Sequence, residues 1–189
     1  MLLHDPLQHH GWRIIDKSKI ATSSNIILPK AIISELKSIF FNGSSSIYQI
    51  EKQSNYTINS FNNITNSITQ KLSNFESLNN MFLFKILISE TLLLPTIYLQ
   101  YKLQEDISKK ESFDRIKEFI DINQQKTITA IETFRINWKN PIVDVEDPTL
   151  DVLQKMQQEI TTPDNYVQWL KENKSNITSL VSYLKSKLN

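Results

Sequence analysis

Gly11 and Gly43 are the only glycines in 189 residues, and this scarcity constrains the chain more than any other feature. A backbone that must approach a phosphate closely, or adopt positive φ, ordinarily uses glycine. Two such residues cannot write G-x-G-x-x-G, G-x-x-x-x-G-K-[ST] or G-x-S-x-G. Tight two-residue hairpins are nearly excluded as well. What remains is a chain built mainly of helices.

The apolar spacing agrees. Phe61, Ile64, Ile68, Leu72 and Phe75 step by three and four, an amphipathic stripe that predicts a helix from about Ser60. Residues 77–94 are far more apolar, and Pro95 is expected to end or kink that helix. Residues 96–123 read as one long charged helix with Leu99, Leu103, Ile107, Phe113, Ile116 and Ile120 mostly on one side. A further helix over 127–138 carries Ile128, Ile131 and Trp138. The stretch 140–149, bounded by Pro141 and Pro148, is the best interior linker. Leu150, Leu153, Met156 and Ile160 then mark a short helix over 149–160. A last one starts at Thr161-Thr162-Pro163-Asp164, with a break expected near Asn173.

The expected fold is therefore mainly α, a bundle of about five to seven helices over 60–189. Residues 1–59 form a less regular N-terminal appendage. It holds one amphipathic helix over 25–41, with Ile32, Ile33, Leu36, Ile39 and Phe40 on one face, and enough alternation for a short β-hairpin. Trp12 to Ile15 reads as a short strand, and residues 41–46 (FNGSSS) are the clearest break in the chain.

Within that appendage, Lys19-Ile20, Asn25 to Ile32 with its Leu28-Pro29-Lys30 step, and Glu35-Leu36 resemble the core of the AbrB-type swapped-hairpin DNA-binding domains. The resemblance covers residues 19–51 at most, and it would imply dimeric DNA binding. The glycine usual before the leucine-proline step is missing, as is the Gly-Asp turn after the helix. The chain is not assigned to that family and no residue roles are carried over.

Composition removes further chemistries. The chain has no cysteine, so thiolate nucleophiles, disulfides and cysteine zinc sites are out. All three histidines (His4, His9, His10) fall in the first ten residues, so no histidine general base lies in the helical part. Glu-x-x-His pairs on facing helices, as di-iron bundles use, are absent. Asp144, Glu146 and Asp147 cluster in the linker without the spacing of a calcium loop. Lys plus Arg is 21 against Asp plus Glu at 20, which argues against nucleic acid as a partner. Phe134-Arg135 with Trp138-Lys139 interleaves aromatic and basic residues, but the helical spacing puts Trp138 on the core face. No cofactor, metal or small-molecule ligand is expected. Five N-x-[ST] sequons, at Asn42, Asn55, Asn63, Asn173 and Asn176, read as accidents of an asparagine-rich composition.

Met81 to Tyr101 is the most hydrophobic window. It reaches the length of a membrane span only by including Lys85, Glu90 and Pro95. A central helix surrounded by others explains it more simply. The N-terminus predicts neither a secretory signal nor a mitochondrial presequence. The expected location is intracellular and soluble, in cytoplasm or nucleus, with membrane association through 81–101 as the alternative.

The function this reading favours is non-enzymatic: a helical subunit or adaptor that assembles with other proteins through amphipathic or coiled-coil helices. The partner-binding candidates are Tyr166 and Trp169, with the stripe Ile177, Leu180, Val181, Leu184 and Leu188. Two other classes stay open, a membrane-associated protein and a helical enzyme whose site the sequence does not reveal.

Overall fold

The stripe at 61–72 forms as its spacing requires. Helix α1, Ile58–Ser73, buries Phe61, Ile64, Ile68 and Leu72 on one side. The computed structural model describes residues 56–74, 79–105, 107–139, 155 and 157–188, together with the backbone of 3–4 and 143–144. Outside the described residues lie the strand expected at 12–15, the helix expected at 25–41, the possible hairpin, Phe75, most of the 140–149 linker, His9 and His10. Leu150, Leu153 and Met156 lie outside them too. Leu3–His4 and Val143–Asp144 pair as a two-residue antiparallel ladder, with Leu3 opposite Asp144.

Helix α2, Met81–Leu103, runs through the middle of the fold. Its start is well fastened. Asn80 Oδ1 accepts from the Leu83 amide at 3.0 Å, capping the first turn. Asn80 Nδ2 donates to the carbonyls of Gln157 and Gln158, and the Met81 amide donates to the Ile160 carbonyl. The segment leading into the last helix is thereby tied to the head of α2.

Pro95 does not end α2; the helix continues for eight residues to Leu103. An interior proline removes one backbone bond and crowds the carbonyl four residues back, at a cost of about 3 kcal/mol. Here every residue from Leu94 to Gln100 is buried. Each fully buried Leu or Ile side chain contributes about 1.5–3 kcal/mol, so packing on all sides outweighs the missing bond.

Residues 96–123 are not one helix. After α2 the chain turns at Gln104, which takes φ 54°, ψ 38°. Helix α3 covers Lys109–Arg115, capped by Ser108 Oγ accepting from the Glu111 amide at 3.2 Å, and a 3₁₀ turn follows at Ile116–Glu118. Asp121 then caps helix α4, Ile122–Ile136, accepting from the amides of Asn123 and Gln124. Helix α5, Asp164–Ser186, is continuous through Asn173. Within that unbroken helix the Asn173 side-chain amide donates to the Trp169 carbonyl four residues back, at 2.8 Å.

Helices α1 and α4 each touch both α2 and α5, so these four close a ring around one core. Helix α3 lies outside the ring against α2. That contact is partly polar and fully paired. Thr96 Oγ1 and Ser112 Oγ are 2.8 Å apart, and Gln100 Nε2 donates to the Ile107 carbonyl at 2.9 Å. A mainly α, multi-helix fold is what the described residues form.

Candidate interaction surface

Six of the partner-binding candidates complete the chain's own interior. Ile177, Leu180, Val181 and Leu184 are buried on the inner face of α5, and Tyr166 joins the same core. Leu188 is half-buried against it. The narrow aliphatic stripe is thus taken up by α1 and α4, and it offers no free face in the folded chain.

Trp169 is placed differently. It is half-buried, stacked on Phe134 with ring centroids 4.0 Å apart and planes within 18°. Phe134 in turn meets Tyr166 edge-on at 5.0 Å, and Trp138 meets Tyr166 at 4.9 Å and Phe84 at 5.8 Å. Five rings from α2, the end of α4 and the start of α5 therefore form one cluster, each pair adding about 0.5–1.5 kcal/mol beyond area burial. The Tyr166 hydroxyl accepts from the Lys139 amide at 3.0 Å. The Arg135 guanidinium lies 5.6 Å from the Trp138 ring centre. This basic–aromatic segment is a packed joint rather than an open stacking platform.

A polar constellation joins α1 to α2. Lys71 Nζ lies 3.0 Å from the Glu90 carboxylate, and Ser67 Oγ donates to the same carboxylate at 3.0 Å. Lys71 Nζ also donates to Ser67 Oγ. A serine–lysine pair serves nucleophilic catalysis when the amine can accept the hydroxyl proton. Here the ammonium donates to serine and carboxylate together, and the serine proton points at Glu90. The arrangement is an ion-paired clasp between two helices. Among the described residues, no three His, Cys, Asp or Glu side chains converge as metal ligands.

The surface that stands out lies on α4. Its inner face is Gln124, Thr127, Ile128 and Ile131. A second stripe, Ile122, Gln125, Thr129, Glu132 and Ile136, steps by three, four, three and four beside it. Ile122 is 61% exposed and Ile136 76% exposed, two of the three large hydrophobic residues so exposed among those described. Between these ends, Gln125, Thr129 and Glu132 form one wall of a cavity of about 90 Å³, with Phe113, Ile116 and Ile120 opposite. The 14-residue separation of the two isoleucines corresponds to about 21 Å along the helix. The result is a small groove between α4 and the α3–3₁₀ segment, of mixed polar and apolar lining, with Ile122 and Ile136 on the same helix stripe beyond it.

Charge at the groove is sparse. Lys117 Nζ and Asp114 are paired at 3.3 Å, while Glu132 has no ion pair among the described residues. At the C-terminal end of α3, Arg115 bridges Glu105 at 2.9 Å and Glu111 at 3.1 Å. The hydrogen bond to Glu105, then that to Glu111, holds its guanidinium above the ordinary value. This fastens the turn after α2 to α3.

The sequence carried a signal for the groove that the helix reading passed over. Ile122 and Ile136 fall outside the Ile128–Ile131 stripe, so α4 has a second apolar edge that its core does not need. Helix α2 is long and apolar enough to cross a membrane, and 61% of its most apolar window is buried inside the chain's own fold. No protein-family model matches this chain, and no curated protein or solved structure matches it.

Proposed function

We propose that this chain is a non-enzymatic helical subunit or adaptor that assembles with other protein subunits. The supporting observation is the α4 groove, whose exposed Ile122 and Ile136 flank a cavity of about 90 Å³. Small-molecule sites run to about 300–1,000 Å³. A cavity this small suits one aliphatic side chain from a protein partner, and the exposed isoleucines on either side extend the contact along the helix.

The test is a pull-down of the tagged full-length protein from its own cells, in moderate salt without detergent, read by mass spectrometry. Ile136→Glu is run beside it. That side chain is exposed, so the substitution is expected to change stability by less than about 0.5 kcal/mol. Recovery of the same few proteins in stoichiometric amounts by the parent chain, and their loss from Ile136→Glu, is the expected result. An unaccompanied chain in both preparations would overturn the reading.

A second reading rests on α2, whose length and apolar character would let it enter a bilayer. Retention in the membrane pellet after a high-salt wash, with release only by detergent, would favour it over the first.

A further inference from the structure

Past one end of the small cavity between α3 and α4, the helical period brings two cations together. Phe113 and Ile116 line the cavity from one side and Ile128 and Glu132 from the other. The chain reverses between these walls at 119–121, so the head of α3 and the end of α4 lie at the same, open end. Lys109 stands four residues before Phe113, on the same face of α3. Arg135 stands seven residues after Ile128, and seven residues fall only about 20° short of two full turns. Each cation therefore continues the line of its own wall.

Neither is paired. Among the described residues, no carboxylate lies within ion-pair distance of Lys109 or Arg135, and neither side chain donates a hydrogen bond. The neighbouring acids are engaged or turned away. Glu111 is held by Arg115 and Asp114 by Lys117, while Glu132, one turn before Arg135, bridges to neither cation. The Arg135 guanidinium lies over the Trp138 ring, a contact that restrains it without using its N–H groups. Burial first, then the charge of Arg135, holds the Lys109 amine below its ordinary value of 10.5, so the two cations stand close enough to repel.

We propose that Lys109 and Arg135 together bind a small oxyanion of the phosphate type between the head of α3 and the end of α4. The two side chains divide the work that such an anion requires. A guanidinium presents parallel N–H donors to two oxygens at once, and an ammonium adds a compact charge from the opposite wall. A bound oxyanion also removes the repulsion between the two cations. The site is separate from Ile122 and Ile136, and it stands whether or not a protein partner binds there.

The test uses the full-length chain and inorganic phosphate. Two charge-assisted contacts place the affinity at about 1 mM. At about 10 mM phosphate, with the control matched in ionic strength by sodium chloride, acetic anhydride should label Lys109 about tenfold more slowly. Peptide mass spectrometry reads the labelling, and Lys126, exposed on α4, is the internal reference. Arg135→Gln is expected to abolish the protection, and Glu132→Gln to strengthen it by removing the nearest negative charge. Lys109 labelled equally with and without phosphate would overturn the proposal. So would protection that survives in Arg135→Gln, or that is as large at Lys126. A second measurement does not depend on how Arg135→Gln folds. Phosphate should raise the melting midpoint of the parent more than that of Lys109→Gln, whose altered side chain is exposed. An equal rise in both would be only the general strengthening of burial by phosphate, and would overturn the proposal as well.

Discussion

Gln104 is the residue at which a chain so poor in glycine has to pay for a left-handed turn, and substitution there isolates that cost. It is the one non-glycine residue with positive φ among those described, at 54°. For an L-residue this region costs about 1–2 kcal/mol. The side chain offsets it with three hydrogen bonds. Nε2 donates to the Tyr101 carbonyl at 2.6 Å and to the Tyr56 carbonyl at 3.1 Å, while Oε1 accepts from the Tyr56 amide at 3.3 Å. The site is exposed, so each bond is worth about 0.5 kcal/mol, the lower end of the usual range. Gln104→Ala keeps the strained backbone and loses all three, for an expected loss of about 1.5 kcal/mol. Gln104→Gly loses the same bonds but relieves the strain, less about 0.4–1 kcal/mol of added freedom in the unfolded chain. Glycine is therefore expected to be more stable than alanine by about 0.5–1 kcal/mol, or roughly 1–4 °C in melting temperature. Equilibrium urea unfolding measures this as a shift in midpoint at unchanged slope. Alanine as stable as glycine would show that residue 104 is not left-handed. Alanine as stable as the parent would show that the amide does not hold Tyr56.

Three further substitutions probe the core. Leu184→Ala removes a fully buried side chain from α5, with an expected loss of about 2–5 kcal/mol; a loss under 1 kcal/mol would mean that α5 does not close the bundle. Pro95→Ala restores the bond to the Thr91 carbonyl, a gain of about 3 kcal/mol less about 1.6 kcal/mol for two buried methylenes. The variant should therefore unfold at higher denaturant, and a lower midpoint would refute the account of α2. Tyr98 is buried, and burial first, then the neighbouring Tyr183, holds its phenol above the ordinary value of 10.0. The folded state keeps this proton longer than the unfolded chain, so the associated stability is complete below pH 10 and is lost as pH rises through the folded value. Tyr98→Phe should accordingly lose stability less steeply than the parent as pH rises above 10; parallel curves would count against the assignment.

What could be read in advance divides along a physical line. The stripes at 61–72 and 177–184 were legible because their large aliphatic residues recur at the helical period and are buried on one side only. Helix α2 was legible as apolar but not as a continuous element. Whether a proline stops a helix depends on how much surrounding packing offsets one lost bond, and that packing comes from residues far away in sequence. The break after Leu103 was hidden for the converse reason. Its turn uses Gln104 in a conformation normally marked by glycine, and its stabilising bonds run to Tyr56, 48 residues away. The α5 stripe did not by itself say what it faces, because an interface and an interior share one pattern: Ile177 to Leu184 would look the same facing a partner or facing α1. Apolar residues left over after the core is assigned discriminate better. On α4 the core takes Ile128 and Ile131, and what it leaves is Ile122 and Ile136, separated by polar residues that line a cavity. Ile122 and Ile136, at 61% and 76% exposure, contribute little to the core and lie on one edge of the helix. Those two side chains, rather than the tidier stripe on α5, are where substitution should leave the fold intact and change what it holds.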